Sequence, residues 1–263
     1  MNATFKSAWW SFDLGAYRPC DGTYRCYPAE SLPPVDAQRF TGDFAWLRPA
    51  RGRARPGKAP ALVAAAKQRG VPLPAAFLRF MTDGALQDAV PSCTACEWDL
   101  SAAPVPCRVV PGAFTVRFLR DQQDCLFWYL HILANGETQI LCSPIPFDDP
   151  ALAVTAETVL AHTWKVAAEF EAFVHRFWLE NQIWAQLNTR DPRWTPEQRA
   201  YLDHYTASAA AGQKAARKVA LRGAKKATAP RPIKRTAAAR IAAERERAAK
   251  RQQTRPIGGA APR

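Results

Sequence analysis

Along the chain the hydrophobic positions change their spacing several times, and each change marks an element. From residue 60 the stretch ALVAAAKQRG spaces its apolar residues helically and ends on Gly70, the residue type that closes helices in a left-handed turn. Pro74 then stands where the first turn of a second helix begins, and Leu73, Phe77, Phe80 and Met81 share one face of AAFLRFM. Four shorter runs, CEWDL, FTVRFL, DCLFWYLHIL and TQILCSP, have the length and β-branched or aromatic content of strands. Asn135-Gly136 between the last two is a two-residue hairpin signal. A strand as continuously apolar as LFWYLHIL needs cover on both faces, which puts it inside a sheet, with Gln122, Gln123 and Asp124 left wet at its entry. Val166, Phe170, Phe173, Phe177 and Trp184 recur at helical spacing through VAAEFEAFVHRFWLENQIWAQL, the longest expected helix. Thr195, Pro196 and Gln198 follow in the order of a capping box, opening a further helix toward Tyr205.

The residues before 60 read as irregular. Aromatic and turn residues mix in WWSFDLGAYRPCDGTYRCYP, and LRPARGRARPGKAP is a Pro, Gly and Arg loop. Trp9, Trp10, Tyr17 and Trp46 are anchors that would hold this extension on the body. Beyond Tyr205 large apolar residues almost vanish, so a segment of Ala, Lys, Arg, Pro and Gly cannot offset its conformational entropy and is expected to be disordered. The expected divisions are an N-terminal extension over 1–59, a domain over 60–205 and a basic tail over 206–263.

Charge sharpens that division. The 263 residues carry a formal charge of +13, but 206–263 hold sixteen Lys and Arg against two Glu, a net of +14, leaving 1–205 at −1. Such a tail binds nucleic acid or another polyanion nonspecifically through counterion release, and Lys214, Arg217, Lys218, Arg222, Lys225, Lys226, Arg231, Lys234 and Arg235 are the candidate contacts. With no aromatic after Tyr205, base stacking adds nothing there. No run approaches the roughly 18 to 20 apolar residues of a membrane span, and MNATFKSAWWSFDLG lacks a basic region followed by an apolar one. Seven Cys, an odd number spread over a long chain, fit reduced thiols. The expectation is a cytoplasmic protein with no membrane partner.

Candidate chemistry is sparse. GRARPGKA has the spacing of a phosphate loop, but Ala59 stands where the magnesium-binding hydroxyl is needed. Cys93 and Cys96, with Cys107 beyond them, could offer zinc three thiolates, but no fourth ligand is spaced to match, and plain reduced thiols are the simpler reading. Cys125 and Cys142 read as hairpin core residues. His131, His162, His175 and His204 lie in no metalloprotease pattern, and no serine nucleophile motif accompanies them. Glu169, Glu171 and Glu180 fall on a helix whose polar face would be solvated. No cofactor and no catalytic residue is assigned. The candidate core is Phe77, Phe80, Phe127, Trp128, Leu130, Phe170, Phe173, Phe177 and Trp184.

Three segments in order, GVPLPAAFLRFMTDGAL (70–86), DQQDCLFWYLHILANGETQILCSP (121–144) and VAAEFEAFVHRFWLENQIW (166–184), resemble the SUKH superfamily, which includes a yeast cell-wall-synthesis regulator and bacterial toxin-immunity proteins. The first is similar to its Leu-Pro helix start, the second to its central hairpin, the third to its Phe-Glu-x-Phe helix. Asp83-Gly84 stands here where the family carries Asn-Gly, the Cys pair is no part of its pattern, and the first sixty residues and the tail have no counterpart. The resemblance implies an α+β domain, a mainly antiparallel sheet with flanking helices, that acts by binding protein without catalysis, possible partners including a toxin. A nucleic-acid-associated protein working through its tail, and a zinc- or thiol-dependent enzyme, are the competing readings.

Overall fold

The computed structural model describes residues 4–47 and 54–207, all within one compact unit. Seven strands form one sheet: β1 (Lys6–Ser11), β2 (Arg25–Pro28), β3 (Val105–Pro106), β4 (Phe114–Arg120), β5 (Phe127–Ile132), β6 (Thr138–Ser143) and β7 (Trp164–Ala167), in the order β2-β1-β7-β6-β5-β4-β3. Every neighbouring pair is antiparallel except β1 with β7. The helices are α1 (Ala59–Gln68), α2 (Ala75–Thr82), α3 (Gly84–Asp88), α4 (Ala156–Ala161), α5 (Phe170–Leu187) and α6 (196–207). The fold is α+β, with a mostly antiparallel sheet, as the sequence leads one to expect. Among the described residues no helix is long and apolar enough to cross a membrane.

The apolar run behaves as its composition dictates. All six residues of β5 are buried, and the strand is paired on both sides, by β4 and β6. Trp128, Leu130 and Ile132 enter the larger core with Phe77, Phe80, Phe118, Phe170, Phe173 and Phe177, while Phe127 and Tyr129 join Leu141, Ile145, Phe147 and Val159 in a second cluster. The Asn135-Gly136 turn closes β5 onto β6: Gly136 takes φ +85°, a conformation only glycine holds without strain, and its N–H donates to Leu133 O at 2.9 Å. Gly70 closes α1 at φ +65°. The capping box also forms, Gln198 N donating to Thr195 Oγ1 at 3.2 Å and Thr195 N to Gln198 Oε1 at 2.9 Å.

Four readings are corrected. The residues before 60 are no irregular extension, because β1 and β2 belong to the sheet and β1 lies beside β7 near the other end of the domain. CEWDL forms no strand, only one bridge between Glu97 and Arg120. The long helix begins at Phe170 and not at Val166, which lies in β7. Trp184 is only half-buried, and lies outside the main core against Phe12, Leu14, Ile183 and Leu202. Its offset has a geometric cause, since a straight helix of 3.6 residues per turn rotates the stripe begun at Phe170 away from the sheet over four turns.

Truncating Trp128 or Leu130 to Ala leaves a cavity inside a strand covered on both faces and is expected to cost about 2 to 5 kcal/mol. Urea unfolding of the two variants measures it, and a wild-type midpoint in both would contradict the buried hairpin.

Candidate functional site

The stripe that runs from Phe173 through Phe177 to Trp184 passes through position 180, and an acid occupies it. Glu180 is 0% exposed. A carboxylate so placed survives only if each lone pair meets a donor. Five arrive from three other parts of the chain. On Oε2, Trp9 Nε1 donates at 2.9 Å and Arg18 Nη2 at 2.8 Å, joined by the Ser11 hydroxyl. On Oε1, Arg18 Nη1 donates at 2.5 Å, joined by the Tyr201 hydroxyl. Arg18, itself 4% exposed, reaches on to Ser11 Oγ at 2.8 Å and Tyr205 OH at 3.1 Å, and lies over the rings of Tyr27 and Tyr205. Burial alone would push the Glu180 carboxyl up, but the Arg18 charge and the converging hydrogen bonds outweigh it and hold the group below its ordinary value.

A second acid on α5 does the same for a different segment. Glu171 Oε2 accepts from Gly42 N at 2.6 Å, and its Oε1 from Phe44 N at 3.1 Å and Trp46 Nε1 at 2.8 Å. Gly42 and Phe44 both have positive φ, +82° and +57°, which turns their amides toward one point and makes a small anion-binding nest filled by the chain's own side chain. The expected solvated face is therefore wrong for Glu171 and Glu180, because β1, Arg18, residues 42–46 and Tyr201 of α6 bring donors onto these two acids. The local signal that marks Glu180 is an acid inside an apolar stripe. Arg18, Ser11 and Tyr201 carry none, since their partner is remote in sequence.

The candidate zinc ligands do not converge. Cys93 packs with the Phe12 and Ile183 cluster, Cys96 against the main core, and Cys107 against the Phe127 cluster. Among the described residues no group of three or more His, Cys, Asp or Glu is placed to share an ion. Burial pushes the Cys93 thiol up to about 12 and raises Cys96 and Cys142 as well, so these sulfurs are held as protonated thiols. All seven cysteines are free. Cys142 is buried as expected, whereas Cys125 is exposed, because the turn organised by Asp121, whose Oδ2 accepts from Gln123 N at 3.0 Å, ends before β5 begins. Lys58 of the phosphate-loop-like run pairs with Asp99 at 3.0 Å. The nine tail cations, Lys214 to Arg235, lie outside the described residues.

His131 is fully buried. Its Nδ1 accepts from Gln139 Nε2 at 3.0 Å, its Nε2 has no partner, and burial pulls its pKa down to about 4. His175 is 2% exposed, ringed by Phe40, Trp46 and Trp178, with centroids 4.8 to 5.8 Å away. Its Nε2 lies 3.0 Å from Glu197 Oε1, yet neither ring nitrogen is aligned for a hydrogen bond. Glu197 Oε1 also meets Arg39, and the Glu197 carboxyl is held below its ordinary value chiefly by His175, against the opposing pull of partial burial. These groups border an open cavity of about 460 Å³ between residues 33–39 and the pair α5 and α6, with Asp36 and His204 also on its wall. That size lies within the roughly 300 to 1,000 Å³ of small-ligand sites.

No family model, curated protein or solved structure matches the chain.

Two outcomes follow from the buried ionisable groups. Glu180→Ala strands Arg18 without its counter-charge and is expected to cost about 3 to 5 kcal/mol in urea unfolding. A loss below about 1 kcal/mol would mean that the network does not hold these elements. For His131 the unfolded state takes up a proton near the ordinary pKa of 6.5 while the folded state resists until about 4. Stability is therefore full above pH 6.5 and falls as pH drops toward 4, by about 2 kcal/mol between pH 7 and 5. His131→Gln should remove that part of the slope, and an unchanged slope would place the proton uptake elsewhere.

Proposed function

We propose that the domain works by binding another protein, as a SUKH-type module of the immunity kind, and that its partner is a toxin it covers. One observation supports this most: the groups with chemical potential are spent on the fold, while the surface keeps an open cleft. Glu180 and Glu171 have donors from the chain on both oxygens, and the thiols of Cys93, Cys96 and Cys142 are held protonated. What the cavity beside α6 offers is an arrangement for recognition, a charged rim over apolar walls. The three segments that carry the resemblance also meet in one core, Phe77 against Phe118 and Phe170, and Trp128 against Phe173 and Phe177. Free thiols throughout fit the cytoplasm as the place of action.

The second reading, nucleic-acid association through the tail, rests on the +14 of residues 206–263 against a body at −1.

The two readings separate on one pair of proteins, the full chain and a truncation after Ala207. Every cluster residue that fastens the fold lies at or before Tyr205, so the truncated protein should melt as the full chain does. It should keep its protein partner in a pull-down from its own cell and lose duplex binding measured by anisotropy. Full-chain duplex binding should fall by orders of magnitude between about 50 and 200 mM salt. A truncated body that captures no specific protein would sink the immunity reading, and one that still binds duplex would place the nucleic-acid surface in the body.

A further inference from the structure

The cavity between residues 33–39 and α6 is built for a particular kind of group. Its wall includes Pro33, Pro34, Val35 and Leu179, a lining that suits an aliphatic stem. Two carboxylate oxygens on it take no donor among the described residues. Glu197 Oε1 pairs with Arg39 and lies 3.0 Å from His175 Nε2, leaving Oε2. Asp36 spends Oδ1 on Gln38 N at 3.0 Å, leaving Oδ2. His204 Nε2 contacts Ser31 O at 3.2 Å, and since a carbonyl can only accept, Nε2 carries a proton. His175, nearly wholly buried, lines the same cavity with Nδ1 unpartnered. Two carboxylates on the wall, those of Glu197 and Asp36, face a single guanidinium, that of Arg39.

We propose that this cavity receives a basic side chain, Arg or Lys, of the protein partner. This rests on the protein-binding reading and specifies its chemistry. The aliphatic stem would lie along the prolines and Leu179, and the cationic head would meet Glu197 and Asp36. A guanidinium or ammonium supplies several donors to a rim with two open carboxylate oxygens, whereas a carboxylate would face two like charges. Arg39 can give way, since an ion pair about one-third exposed is weakly held and readily exchanged.

The probe is N-acetyl-arginine methylamide added to the full chain, with the ring signals of His175 and His204 followed by NMR. Those signals should shift saturably at roughly millimolar concentration, and the uncharged citrulline and the anionic glutamate analogues should leave them in place. Asp36→Asn keeps the oxygen that accepts from Gln38 N, so this variant should fold normally and weaken the arginine probe about tenfold, as should Glu197→Gln. Equal shifts from citrulline, stronger shifts from glutamate, or no saturable shift from arginine would each overturn the proposal. A natural partner captured equally well by the wild type and Asp36→Asn would remove the cavity as its contact and leave protein binding standing.

Discussion

A carboxylate cut off from water, Glu180, obliges several separate parts of the chain to keep their places. Desolvating the ion costs several kcal/mol, and that cost is met only while Trp9 and Ser11 of β1, Arg18 of the loop after it, and Tyr201 of α6 all point at one spot. Such a pair contributes little net stability against a hydrophobic alternative of equal volume. Its effect is on geometry. The apolar stripe of α5 could slide or rotate against the sheet with modest loss, but any shift of an ångström would leave a buried guanidinium or carboxylate short of partners. The network fixes the register of α5 where packing alone would leave it loose.

Glu171, nine residues earlier on the same helix, applies the same rule to backbone amides. It holds residues 42–46 across α5, and Arg176 adds a bond from its Nη2 to Pro33 O at 2.8 Å. The N-terminal segment is thus fastened to α5 at three depths. That explains how a region with few regular elements supplies Trp9, Phe44 and Leu47 to the main core. It also explains why β1 can lie parallel beside β7: the strand is carried there by its bonds to the helix that follows β7.

Local pattern made the central half of this fold legible. The hairpin of β5 and β6, the second helix, the capping box and the Gly70 stop each follow from neighbours within a few residues, because side-chain period, turn chemistry and capping are short-range effects. What the pattern could not supply depends on distant partners. β1 and β7 are short, and their pairing spans nearly the whole domain, so nothing in KSAWWS names its neighbour. Val166 lies four residues before Phe170, which reads as one helical face although a bend at 168–169 separates strand from helix. The two acids read as solvent-facing because most of the donors that bury them come from more than a hundred residues away. The site suffered most from this: the groups on the cavity wall carry no local signal in the sequence, and only the folding of residues 33–39 against α6 brings Asp36 and Arg39 to the cavity that Glu197 lines.

The two carboxylate clusters against α6 differ in the one property that decides whether they can change partners. Around Glu180 both members of the ion pair are buried and every donor belongs to the chain, so exchange would require unfolding of the local structure. Around Glu197 the acid and Arg39 are each about one-third exposed, and water can replace either partner at small cost. The rigid cluster sits directly beneath the exchangeable one, since Tyr201 both donates to Glu180 and lines the cavity. A ligand at the outer site therefore meets a wall that is already held in place, and its binding free energy is not drained by ordering the protein. The buried ion pair, which contributes little to stability by itself, gives the fold a preorganised surface in return.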